Sequence, residues 1–351
     1  MKVIILPFIA FDAENENFQL PEILKLSILH HARFSDKYHL ITNIKEKYFR
    51  TIKKTLGNKF EAIQYTEFIS KETNQTIVKL NRLWSTGVAK ANHPATEQLC
   101  FLRWLLLRDW LSNNNNENDI YLLHDWDDLA FEDPFNNLNE LLDGYTIPKS
   151  FVASFTEVGL CQWMQPNLTF FTYNAIVDYC KFVDYFIYSY ESGKNFNLPQ
   201  KGFLDDCLPW SYTINTYRAL STGSFFNLML MGDNMRKANS IRLHKIYFNT
   251  TIRTPENFEK NEFFVPRNYN HSGSTTGMIS LLNIKTDKRH VFVTSIGDKL
   301  NYRLVNIHFT GTESKYALLN GYLNQITNYY KNSSLLREQL KENNLESLVE
   351  I

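Results

Sequence analysis

The sequence predicts an α/β protein built on a doubly wound, mostly parallel sheet with helices on both faces and a C-terminal helical segment. Two observations carry this expectation. Apolar strand-like runs and helical periods alternate through the first 65 residues, and a long apolar helix later runs into an apolar strand that ends in a cluster of carboxylates. With 351 residues, 44% of them hydrophobic, the chain can bury a sizeable core.

The elements follow in order. Val3 to Ala10 is a continuous apolar run, the pattern of a strand covered on both sides. Pro21 to Phe34 places Ile23, Leu24, Ile28 and Leu29 at helical spacing. Tyr38 to Thr42 predicts a strand, Lys45 to Leu56 a helix, and Phe60 to Tyr65 a strand. This is a β-α-β-α-β opening, which folds as parallel strands joined by right-handed crossovers. No G-x-G-x-x-G follows the first strand, which disfavours a dinucleotide-binding domain. Ala95 to Leu111 predicts an apolar helix ended by the polar run Ser112 to Asn118, and Asp119 to His124 a strand. Short strands are expected at Phe151 to Phe155, Leu168 to Thr172, Val291 to Thr294 and Arg303 to Phe309, with a helix from Ala175 to about Glu191. Lys315 to Leu348 reads as one or two helices. No internal repeat or Pro/Gly/Ser-rich linker divides the chain. Residues 1–314 are read as one domain in two parts, at about 1–135 and about 136–314, followed by a helical segment at 315–351.

Charge and cysteine use narrow the function. Lys+Arg and Asp+Glu both number 37, so there is no basic footprint for a phosphate backbone, and nucleic acid is not expected as a partner. The apolar start is too short for a signal peptide, and no stretch reaches the length of a membrane span. The expectation is a cytoplasmic protein with, at most, peripheral association with the inner face of a membrane. Cys100, Cys161, Cys180 and Cys207 form no C-x-x-C pair and are expected as buried free thiols. N-x-S/T triplets such as Asn167-Leu168-Thr169 carry no weight without an export signal.

The residues that point to chemistry begin with Asp125, Asp127 and Asp128, immediately after the apolar strand. Carboxylates packed this densely are costly unless a cation or water satisfies them, and the carboxyl edge of a parallel sheet is where ligands bind. Mn²⁺ or Mg²⁺ takes such hard oxygen ligands together with diphosphate oxygens. An acidic turn capping the next helix, with Asp128 or Asp133 at the helix start, is the simpler alternative. A second signal is Asn306-Ile307-His308-Phe309-Thr310-Gly311-Thr312-Glu313-Ser314-Lys315. There His308 offers an imidazole, Gly311 a close backbone approach and Lys315 a point charge for phosphate.

With these residues the chain resembles the GT-A glycosyltransferases, especially families with a late H-x-x-G-x-x-K-like element. The resemblance implies that Asp125, Asp127 and His308 bind the metal and that Gly311 and Lys315 contact the donor's diphosphate. Lys315 stands one residue later than in that element, and no Pro-Trp follows it. The resemblance extends by order of elements from the first strand to about Lys315. It implies a nucleoside-diphosphate sugar as donor, with a UDP-sugar favoured, and a glycan or lipid-linked acceptor. It also matches Arg103, in an otherwise apolar helix, to an arginine that reaches the donor. The buried guanidinium needs a partner, which a sugar hydroxyl, the Asp cluster or an ordinary ion pair would supply. Arg108 with Asp109 reads as a solvated face. Pro7, Phe8 and Ile9 fall where the fold binds the donor's base. Asp205 and Asp206 fall where an acceptor-side carboxylate stands, as general base in an inverting enzyme or as a positioning group in a retaining one, with a helix N-cap as the alternative. Trp126, Trp163 and Trp210 are candidates for stacking on sugar or base, though most aromatics are core. Residues 270–277 form a small-residue loop.

Two other classes share parts of this pattern. A haloacid dehalogenase-type phosphatase would use Asp125 as nucleophile and Asp127 as acid and base, but its motif belongs on the first strand and Asp128-Leu129 replaces the usual Gly-Thr. A non-catalytic carbohydrate-binding protein on the same architecture is the other.

Overall fold

A computed structural model describes residues 1–85, 94–115, 119–130, 132–141, 147, 149, 151–154, 168–191, 284–286, 291–294, 301–303 and 306–308. The opening forms as expected: β1 (Val3–Phe8), α1 (Glu22–Ala32), β2 (Lys37–Thr42), a 3-10 turn at Glu46–Phe49 leading into α2 (Arg50–Leu56), and β3 (Phe60–Gln64). Gly57, at φ 56°, ends α2 in a conformation that a side chain disfavours. Then come α3 (Lys71–Ser85), α4 (Pro94–Asn114), β4 (Tyr121–His124), β5 (Asp128–Ala130), α5 (Pro134–Leu141), β6 (Val152–Ser154), β7 (Leu168–Phe171) and α6 (Tyr173–Glu191). The short strands β8 (Ile284–Thr286), β9 (Val291–Thr294), β10 (Asn301–Arg303) and β11 (Asn306–His308) follow.

Among the described residues the main sheet has six strands in the order β3-β2-β1-β4-β7-β6. β1, β2, β3 and β4 are parallel, while β7 runs antiparallel to both β4 and β6. This is the mostly parallel α/β sheet predicted from the sequence, with one reversed strand. Side-chain alternation divides its core between two faces. Ile4, Leu6, Tyr38, Leu40, Leu122 and Phe170 pack with Leu24 and Ile28 of α1 and with Ile52 of α2. Val3, Ile5, Ile41, Tyr121, Leu123 and Phe171 pack with Trp104 and Leu105 of α4 and with Ile176 and Val183 of α6. Helices therefore cover both faces.

Several expectations are refined. Of the strand expected at Arg303 to Phe309, the described residues fall in two strands with different partners: β10 pairs with β9, whereas β11 pairs with β5. Asp133, and not Asp128, caps the next helix, accepting the Phe135 N–H at 2.9 Å and the Asn136 N–H at 3.3 Å. Arg108 and Asp109 are not a solvated face. Asp109 is buried and accepts the Ser70 N–H at 2.8 Å beside the start of α3, while Arg108 donates to Asp109 and to Thr73. Cys180 is a buried free thiol whose pKa burial pushes well up. Among the described residues no helix is long and apolar enough to cross a membrane. The C-terminal segment 315–351, Trp163, Trp210 and the loop 270–277 lie outside the described residues.

Candidate active site

β1 and β4 are parallel neighbours, so the loops leaving them open at the same carboxyl edge. Ala10, just past β1, is fixed there by a reciprocal pair with Asn43: its N–H donates to Asn43 Oδ1 at 2.9 Å and its carbonyl accepts from Asn43 Nδ2 at 2.7 Å. The Gln64 amide donates to the Ile44 carbonyl at 2.8 Å, tying the end of β3 to the loop after β2. Pro7, Phe8 and Ile9 are each half-buried at this edge. The Phe8 ring lies 5.5 Å from that of Trp126, so the end of β1 and the acidic turn share an aromatic wall.

The acidic segment does not cap a helix. It turns between β4 and β5, closed by the Asp128 N–H donating to the Asp125 carbonyl at 3.1 Å. Asp125 is partly exposed and accepts a charge-assisted hydrogen bond from Arg103 of α4. Asp127 is 4% exposed and Asp128 is fully buried. Asp128 Oδ1 accepts from Nε2 of the equally buried His31, on α1, at 3.0 Å. Two of the three carboxylates are thus held by side chains from helices on opposite faces of the sheet.

Beneath the turn lies a polar layer that the sequence reading missed. Ser27 Oγ donates to the Asp128 carbonyl at 2.6 Å. His124 Nδ1 lies 2.8 Å from the Asp125 carbonyl, and its Nε2 lies 2.7 Å from Tyr38 Oη. A carbonyl only accepts, so Nδ1 carries the proton and Nε2 accepts from the phenol. By the same reasoning His30 Nδ1 donates to the Ala130 carbonyl at 3.0 Å, where Arg33 also donates at 2.6 Å. The His31 and His124 rings stack 3.7 Å apart. The His124 arrangement, with Nε2 accepting, needs a neutral imidazole. Burial, reinforced by the Arg33 charge, pushes His31 down to about 3 and lowers His30. Burial, then His31, lowers His124. The available signal was Ser27, His30, His31 and Arg33 interrupting an otherwise apolar helix.

β11 returns from far along the chain to pair antiparallel with β5, in a register that sets Asn306 opposite Ala130, Ile307 opposite Leu129 and His308 opposite Asp128. The segment bearing His308 therefore adjoins the acidic turn through its backbone. Among the described residues no group of three or more His, Cys, Asp or Glu is arranged to hold a metal ion. Asp205, Asp206, Gly311 and Lys315 lie outside the described residues.

No protein-family model matches the chain, and no curated protein matches it. Among solved structures, the chain is similar to apo mouse xyloside xylosyltransferase 1, at 12% sequence identity and a TM-score of 0.40, covering 70% of this chain and 93% of that one.

Proposed function

We propose that the chain is a metal-dependent glycosyltransferase of GT-A type, transferring a sugar from a nucleoside-diphosphate donor to a glycan or lipid-linked acceptor at the cytoplasmic face of a membrane. The observation that supports the reading is the register of β5 with β11, in which His308 pairs through its backbone with Asp128, the residue that follows Asp127 in the turn at the carboxyl edge of a parallel sheet. Segments distant in sequence meet there, and their donor types suit a hard divalent cation.

In this reading Asp125, Asp127 and His308 hold Mn²⁺ or Mg²⁺, which when bound would offset the charge of the departing diphosphate. The chain's own groups do the rest. Arg103 fixes the Asp125 carboxylate and supplies a cation beside the diphosphate. The half-buried end of β1, Pro7 to Ile9, with Trp126 against Phe8, receives the base, with uridine favoured. Gly311 and Lys315 are assigned to contact the diphosphate, and Asp205 or Asp206 to address the acceptor.

The test is thermal stability of the purified chain with UDP, GDP, CDP and their sugars, each with and without Mn²⁺. A ligand at a hundredfold excess over its Kd stabilises the native state by about 2.7 kcal/mol. One nucleotide should stabilise the wild type in a Mn²⁺-dependent manner, and Asp127→Ala should lose that response and turnover while melting as a folded protein. No response to any nucleotide, or full activity in Asp127→Ala, would sink the assignment.

A further inference from the structure

The acidic segment carries one carboxylate more than the two proposed as ligands, and its surroundings separate Asp128 from the other two. Asp128 is fully buried, and its Oδ1 is taken by His31 Nε2 at 3.0 Å. Its carbonyl accepts from Ser27 at 2.6 Å, and its N–H closes the turn onto Asp125. It is also the residue opposite His308 across the β5–β11 pair. Asp128 thus joins three things at one position: its carboxylate reaches α1 through His31, its N–H closes the turn carrying Asp125 and Asp127, and its backbone lies in register with the strand that returns with His308.

We propose that Asp128 is not a ligand but the anchor of the site, and that His31 is a positioning residue that acts through it. This rests on the reading of the acidic turn as a metal and nucleotide site. The His31–Asp128 bond ties the turn to α1, so the spacing of Asp125 and Asp127 from His308 is set before any ligand arrives. Partners that orient ligand-bearing elements typically change metal affinity by about 10- to 100-fold when removed. Anchoring needs an acceptor at Asp128 and a donor at His31, whereas ligation needs the negative charge. The two roles separate by substitution.

The experiment measures Mn²⁺ affinity, by electron paramagnetic resonance of free Mn²⁺ in the presence of UDP, for the full-length wild type and four variants. Asp127→Asn should lose about tenfold or more, whereas Asp128→Asn, which keeps an amide oxygen for His31, should stay within about threefold. His31→Leu should lose about tenfold, and His31→Gln, whose amide N–H can take the place of Nε2–H, should recover most of it. A loss in Asp128→Asn as large as in Asp127→Asn would make Asp128 a ligand and overturn the proposal. Unchanged affinity in a folded His31→Leu would do so too. If His31→Leu does not fold, Asp128→Asn and His31→Gln still decide. If the wild type binds no Mn²⁺ with any nucleoside diphosphate, the glycosyltransferase reading fails on its own. The anchor is then judged by amide hydrogen exchange at Leu129 and Ile307, which should quicken in His31→Leu, or in Asp128→Ala if that variant is unfolded, and return in His31→Gln. Unaltered exchange overturns it.

Discussion

The two faces of the sheet hold the same acidic turn by opposite means. On the α4 face the support is almost wholly apolar: Trp104, fully buried, has Phe171 at 6.2 Å and Tyr179 at 5.5 Å between ring centroids, and Arg103 reaches from that wall to Asp125. On the α1 face the apolar core gives way beneath the turn to Ser27, His30, His31, His124 and Tyr38, all buried and all hydrogen-bonded. An apolar face gains from burial alone and tolerates approximate fits. A buried polar layer contributes only while its donors and acceptors stay matched, and in return it fixes one geometry. The α1 face is therefore the one built to hold the turn in a single position.

The largest effect that separates the faces is acid sensitivity. The pKa values of His30, His31 and His124 are lowered in the folded chain, while the unfolded chain restores the ordinary value of 6.5. Below pH 6.5 the unfolded state therefore binds protons that the native state refuses, so stability is constant above that pH and falls as pH drops through it. Each such histidine contributes a slope approaching about 1.4 kcal/mol per pH unit, and three together about 4. On the other face Asp184 has its pKa raised by burial, which gives the opposite sign, since its native state takes up a proton first as pH falls. His39, lowered by burial against the pull of Glu61, adds a weaker loss. Urea unfolding at pH 7.5, 6.5 and 5.5 should show the fall, and His30→Gln should reduce it by roughly a third. A flat profile in the wild type would mean that the histidine layer is hydrated and that the contrast between the faces is false.

How much of this was legible in the sequence follows the same division. Strands β1, β2, β3 and β4 are apolar runs between helical periods, and hydrophobic burial writes itself locally as composition and period. The end of β4 stands out as a candidate site because carboxylates after an apolar strand are anomalous on their own. The α1 layer was not legible. Its pairs join residues far apart in sequence, 97 positions for His31 and Asp128 and 86 for Tyr38 and His124, and a histidine in a helix has no period that names its partner. Helix α3 escaped notice because Lys71, Glu72, Thr73, Asn74, Gln75 and Thr76 open it with a polar run. The three-residue strand β5 is too short to show any period and exists because β11 pairs with it. The assignment of Asp125, Asp127 and His308 to one metal site rests on the resemblance, and what the fold adds is the register that sets His308 opposite Asp128.

A smaller effect probes the apolar face. Trp104→Ala removes a fully buried indole between α4, β7 and α6, and should cost about 3 to 5 kcal/mol by lost transfer energy and residual cavity. The cost should be the same at pH 7.5 and 5.5, because no titrating partner is exposed by the change. Measured by urea unfolding, a Trp104→Ala penalty that grew in acid would show the two faces to be coupled.

The smallest effect is the most discriminating. Ser27→Ala, on the α1 face, deletes the hydroxyl that donates to the Asp128 carbonyl and should cost about 1 to 2 kcal/mol. Cys180→Ala, on the α4 face, deletes a buried thiol that donates weakly to the Trp104 carbonyl at 3.8 Å and should cost about as much, chiefly through a small cavity. The two variants are thus matched in stability but differ in which face they loosen. If the polar layer sets the geometry of the turn, only Ser27→Ala should weaken Mn²⁺-dependent binding of nucleotide, towards about tenfold, because a shift of the Asp128 backbone moves Asp125 and Asp127 with it. Equal losses in both would mean that overall stability governs the site. A loss confined to Cys180→Ala would mean that the turn takes its position from the apolar wall through Arg103, and that the histidine layer beneath it follows.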